Sequence, residues 1–214
     1  MKRTAFIAIA AVLLAVFFRF FPLFHIVPLE QARQARAAGV FHPQQFAEQF
    51  WNERLLKSLD RAVNTDALLP AIRNDPAAAR KKFSRQLGIS ESYFYFVAGR
   101  GRVVSVANDE IALVVTEGAT QPEIVLPVGL LFGNAVRDAT GLLDVNGYPN
   151  SQDFNDLSQA LNHIIETRVL PALHDQAKVG ATIRFAGCAE ITDESTDLKP
   201  LRVVPVQVEF LKAP

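Results

Sequence analysis

Cysteine is almost missing from this chain. Cys188 stands alone among 214 residues, so no intrachain disulfide can form and no multi-cysteine metal centre exists. Its setting, Phe185-Ala-Gly-Cys188-Ala-Glu-Ile191, is apolar and strand-like, which suits a small core residue better than a reactive thiol. An excess of charge of either sign is missing too. The formal net charge is zero, and without Lys2, Arg3 and Arg19 the rest carries 19 basic residues against 22 acidic ones. A mildly acidic domain has no general attraction for phosphate backbones, so nucleic acid is not an expected partner. The chain also lacks HExxH, CxxC, an EF-hand loop, a GxSxG elbow, a P-loop, GxGxxG, internal repeats and low-complexity tracts. His163 and His174 are eleven apart, about 16 Å along a helix, and do not share one metal. Neither a cofactor nor a metal is expected, and no nucleophile is evident.

What is abundant is apolar residue: half of the chain, enough for a core and far from the composition of disorder. Lys2-Arg3 precede an apolar run from Ala5 to Phe18, followed by Arg19 and Phe20-Phe-Pro-Leu-Phe24. Fourteen apolar residues make about 21 Å of helix, short of a hydrocarbon core of about 30 Å. A full span therefore extends past Arg19, whose side chain snorkels to the interface. The basic start keeps the N-terminus cytoplasmic and exports the rest. The alternative is a cleaved signal peptide, but large residues follow Phe18 and Ala35-Arg-Ala37 is a poor small-x-small site. The expectation is an uncleaved signal anchor, with a single pass through the cytoplasmic (inner) membrane and the C-terminal domain in the periplasm.

The sequence divides into a signal anchor at 1–27, a connector at 28–42, a helical region at 43–90 and a β domain at 91–214. Pro43 starts a helix to about Val63 with Phe46, Phe50, Trp51, Leu55, Leu59 and Ala62 in one stripe. Thr65 caps a short helix, and Asp75-Pro76 starts a third that ends near Gly88. From Tyr93 the period becomes two. Tyr93–Val97 leads into Arg102–Ala107 with Gly99 and Gly101 as bend residues, Ile111–Val115 returns, and Glu123 to Phe132 supplies a third strand. A helix over about Asp153–Leu170 follows, kinked or ended at Pro171, and then strands Ala181–Phe185 and Leu201–Phe210, the first preceded by a corner at Val179-Gly180. Three strands, a helix and two strands is the order of an OB-fold, so the fold class is α+β: an OB-like five-stranded β-barrel with a helix between strands 3 and 4. A five-stranded open sheet with a covering helix gives nearly the same string. The loop Ile191–Pro200, with Asp193, Glu194 and Asp197, is read as solvated.

One segment stands apart: Arg137-Asp138 sits in an otherwise apolar stretch after the third strand. It reads first as a buried ion pair fixing the strand-to-helix crossing, with Asn134 beside it. The alternative is a ligand site at a barrel rim, built from Asn134, Arg137 and Asp138 and completed by Asn150, Asp153, Asp156 and Asn162.

Five segments carry a family likeness: Phe50-Trp51, Pro127-Val-Gly129, Gly133-Asn-Ala-Val-Arg-Asp-Ala139, the polar stretch Asn150 to Asn162, and Gly180-Ala-Thr-Ile-Arg-Phe-Ala-Gly187. Together they resemble a bacterial domain-of-unknown-function family of predicted periplasmic lipoproteins, often encoded beside sugar ABC transporters. The likeness covers about Phe41 to Phe210. It implies an accessory role near carbohydrate uptake, with a transporter component or a small carbohydrate as partner, and it supplies no catalytic residues. The lipobox cysteine usual in such proteins is missing here, where Phe17-Phe-Arg-Phe-Phe-Pro22 stands instead, so the helix itself serves as the anchor. The leading reading is a non-catalytic, membrane-anchored accessory or ligand-binding protein. The alternative is an envelope carbohydrate hydrolase using paired carboxylates among Asp138, Asp153 and Asp156, about 5–10 Å apart across a cleft.

Overall fold

Pro43 opens helix α1, Pro43–Phe50, where a residue without an N–H loses nothing. The computed structural model describes residues 41–87, 91–144 and 151–212, and His42–Pro214 form one compact unit. The anchor expected at 1–27 and nearly all of the 28–42 connector lie outside the described residues. Among the described residues no helix is long and apolar enough to cross a membrane.

The first helix does not run on to Val63. It gives way to a π turn at Trp51–Leu55 and a 3-10 stretch at Leu56–Arg61, and the chain is extended at Ala62. The wider and then tighter windings change which positions face inward, so Phe50, Trp51 and Leu55 are buried while Leu59 and Ala62 are only partly so. Strand β1, Val63–Asn64, follows, and then α2, Thr65–Asn74, and α3, Pro76–Phe83. Asn64, not Thr65, caps α2: its side chain accepts the N–H of Asp66 at 2.8 Å, while Thr65 turns inward and is fully buried. Asp75 caps α3 through the N–H of Ala78 at 3.0 Å. The third helix stops at Phe83, short of Gly88, because β2, Arg85–Gln86, joins the sheet.

The centre of the sheet is β3, Tyr93–Val106, flanked by β4, Glu110–Val114, and β6, Thr182–Ile191. Tyr93 to Val97 are all buried, so this half of the strand is covered on both faces. Its pairing with β6 is antiparallel and unbroken from Tyr93–Ile191 to Arg102–Thr182. The two glycines expected to bend the strand instead permit close approach: a Cβ on Gly99 would lie 2.0 Å from Oγ1 of Thr65, and one on Gly101 3.1 Å from Cβ of Leu113. The irregularity falls further on, between Val103 and Ser105.

Strand β5, Ile124–Pro127, pairs with β4, and the apolar stretch to Phe132 leaves the sheet. Among the described residues, three helices lie between β5 and β6: α4, Ala135–Ala139, α5, Ser151–Arg168, and α6, Leu170–Gln176. Helix α7, Glu194–Asp197, is a single turn before β7, Leu201–Arg202, and β8, Val204–Leu211. Only Val203 separates the last two strands. β7 runs parallel to β5 and β8 antiparallel to β6, so one stretch of chain joins both ends of the curled sheet. Helix α1 packs on α5, and the exposed Arg168–Glu48 ion pair spans that contact.

Candidate functional site

Residues 128–134 connect β5 to α4, and their backbone is held from several sides. The N–H of Val128 donates to the carbonyl of Asp109 at 2.7 Å, and Nε2 of His174 meets the Val128 carbonyl at 2.8 Å, which requires that nitrogen to donate. From α5, Oε1 of Glu166 accepts the N–H of Leu131 at 2.8 Å and Nδ2 of Asn162 donates to the carbonyl of Gly133 at 3.2 Å. From β6, Oε2 of Glu190 accepts the N–H of Asn134 at 3.4 Å. Gly133 has φ 87°, which favours glycine. Leu131 is buried, while Leu130 and Phe132 on either side are 78% and 81% exposed. The polar groups around this segment therefore fix a loop that turns two large apolar side chains to solvent.

Arg137 and Asp138 lie on α4, every residue of which is buried. Nε and Nη2 of Arg137 donate to the two oxygens of Asp138 at 2.7 and 2.8 Å, and Nη1 donates to the carbonyl of Phe154 at 3.2 Å. The guanidinium also stacks on the Phe154 ring. Both ions are thus satisfied within the protein. Protonating Asp138 in acid–base work would disrupt its bidentate pairing and leave the buried Arg137 charge without its partner.

The remaining residues singled out in the sequence separate. Asp156 and Asn162 line a cleft of about 560 Å³ with Leu130, Phe132, Gln159 and Glu166, and Pro43 and Gln44 line it too. Asp156 accepts a bond from Gln152 at 2.6 Å. Asp153 is half-buried in the first turn of α5, Asn134 stands at the start of α4, and neither lines this cleft. Asn150 lies outside the described residues. Asp109, Glu166, His174 and Glu190 were not evident as partners of this loop, since each acts on a main-chain atom far away in sequence. Pro127 and Gly129 carried the signal that Leu130 and Phe132 lie beyond the strand.

Elsewhere the ionisable groups are spent on the fold. A second cleft, about 590 Å³, lies between α2 and the β4–β5 loop and contains Glu123. Burial alone would raise that carboxyl. The N–H groups of Thr116 and Val115, the Thr116 hydroxyl and Arg73 outweigh it and hold Glu123 below the usual carboxylate range. In the 191–200 loop Asp193 caps α7 through Ser195, and Asp197 accepts the N–H groups of Thr192 and Asp193. Glu194 accepts the hydroxyl of Tyr93, which stands edge-on to Tyr95. Burial pushes Tyr95 up to about 12 and pushes the Cys188 thiol up as well. Among the described residues no group of three or more His, Cys, Asp or Glu side chains is arranged to hold a metal ion.

A strongly curled sheet of this strand order, with helices between its third and fourth long strands, defines the OB-fold class. The crystal structure of an OB-fold protein from Thermotoga maritima MSB8 shares the architecture, with a TM-score of 0.72 and 25% identity over 80% of this chain and 99% of that one. The chain belongs to the predicted periplasmic lipoprotein family DUF2291, whose sequence profile matches residues 10–209. That membership makes it a periplasmic, membrane-associated protein. No curated protein matches it.

Proposed function

We propose that this protein is a non-catalytic accessory or ligand-binding module of the periplasm. A single N-terminal helix tethers it to the cytoplasmic membrane, and it attends carbohydrate uptake by contact with a transporter component or a small carbohydrate. The observation that supports a non-catalytic role is the mutual satisfaction of Arg137 and Asp138: the most prominent ionisable pair is occupied by itself and by Phe154. The same pairing deprives the hydrolase alternative of Asp138. A carbohydrate contact would use the cleft lined by Asp156, Gln159 and Asn162, where a carboxylate and amides offer hydrogen bonds to hydroxyl groups.

A thermal-shift screen of the full chain in detergent against monosaccharides and their phosphates tests this. A sugar should raise Tm in the wild type, and the gain should vanish in Asp156→Asn while that variant alone melts near the wild type. Release of reducing sugar from envelope glycan by the purified protein would overturn the non-catalytic reading.

A further inference from the structure

Leu130 and Phe132 are exposed as a pair on one held segment. The other large exposed apolar residues among those described, Val106 at the end of β3 and Val179 in a turn, stand singly. Isolated apolar side chains on a surface need no explanation, but a paired tip whose backbone is fastened by Glu166 and Asn162 does. Its position supplies one. Pro43 and Gln44, at the start of the compact unit, line the same cleft as Leu130 and Phe132, so the tip lies near the point where the chain enters the domain. Sixteen residues separate Pro43 from Ile26, the end of the apolar N-terminal segment. Fully extended they reach at most about 55 Å, so a tether of this length holds the domain within that distance of the bilayer.

We propose that Leu130 and Phe132 insert into the outer surface of the cytoplasmic membrane and fix the orientation of the tethered domain on it. The proposal rests on the membrane tether above and does not depend on whether a carbohydrate binds. Two side chains fall well short of the about 800 Å² per partner of a stable protein interface. A tether removes that requirement, because the local concentration of lipid surface is already high and weak insertion suffices to set orientation. The rim is not basic: Asp156 and Glu166 line the same cleft. Insertion is therefore apolar and owes nothing to anionic headgroups.

The test reconstitutes the full chain into vesicles of phosphatidylethanolamine and phosphatidylglycerol containing brominated lipid. Phe132→Trp is compared with Val179→Trp, another exposed position elsewhere, over the constant signal of buried Trp51. Flotation of the vesicles reports the tether; indole emission reports the tip. The expected result is a blue shift and strong bromine quenching for Phe132→Trp alone. Both should be unchanged by high salt or by replacing phosphatidylglycerol with phosphatidylcholine, and both should be reduced when Leu130→Ser is added. Protein that floats but is quenched equally at both positions overturns the proposal and leaves the tether standing. A blue shift that follows protein density and not lipid means that a second copy covers the tip, which also overturns it. Protein that does not float overturns the tether and this proposal with it.

Discussion

The guanidinium of Arg137 lies 3.6 Å from the centre of the Phe154 ring, and the carbonyl of the same Phe154 takes the nitrogen that Asp138 leaves over. One residue of α5 thereby answers both the face and the edge of the cation. The pair works as a clamp between α4 and α5, and its loss should be felt as lost stability.

Arg137→Ala or Asp138→Ala leaves one buried charge without its partner, and each should cost about 3–5 kcal/mol. Arg137→Lys should also destabilise, since an ammonium cannot bind both oxygens of Asp138 and stack on the ring together. The double change Arg137→Met with Asp138→Leu should recover most of the loss. Urea unfolding of the four variants checks this; single variants as stable as the wild type would show that the clamp carries no load.

Glu166→Ala removes the acceptor for the Leu131 N–H, and Asn162→Ala removes the donor to the Gly133 carbonyl. Each should cost about 1–3 kcal/mol, the penalty for a poorly satisfied main-chain group. The local effect should be sharper than the global one. Amide exchange at Leu131 should quicken many-fold while that of β3 changes little. Equal acceleration throughout would mean that the loop is not held as described.

Gly99 and Thr65 occupy one another's space, and Oγ1 of Thr65 is buried without a partner. Gly99→Ala should cost about 1–3 kcal/mol through overpacking. In a Thr65→Ala background the same substitution should cost much less, because the opposing side chain is gone. A double-mutant cycle measures that coupling directly; additive effects would contradict the contact.

The Glu123 carboxyl is held below its ordinary range, so its stabilising contribution is fully present above the unfolded-state value of about 4.3. That contribution is lost as pH falls through the lower folded-state value. Glu123→Gln should therefore be less stable at neutral pH, by about 2–3 kcal/mol for its charge-assisted bonds, and its stability should fall less steeply in acid. Parallel acid limbs for the two proteins would refute the assignment.

Much of the architecture was legible because it rests on local chemistry. Pro43 and Asp75-Pro76 mark helix starts, short apolar runs rich in aromatic and β-branched residues mark the strands, and Pro171 marks the break between α5 and α6. The OB-like class followed from that succession, while a covered open sheet would have given nearly the same string. The breaks in α1 were not legible, since π and 3-10 windings leave no signature in an apolar stripe. The early end of α3 likewise depends on β2 finding an edge of β3, a long-range event. Of the site, the adjacency of Arg137 and Asp138 predicted their pairing, because two opposite charges in an apolar stretch must neutralise one another. The polar run of α5 was harder to read. Asn162 faces a main-chain carbonyl 29 residues earlier, and sequence separation of that kind carries no local trace.

The segment from Leu201 to Leu211 touches both margins of the sheet, β5 through its first two residues and β6 through the remainder. It is the last of the described strands to leave the ribosome. Until it arrives, β5 and β6 each have an open margin and the domain has no finished interior. A polypeptide that passes through a membrane as an unfolded thread gains from this order of events: its seam is stitched only once every described strand before it has emerged.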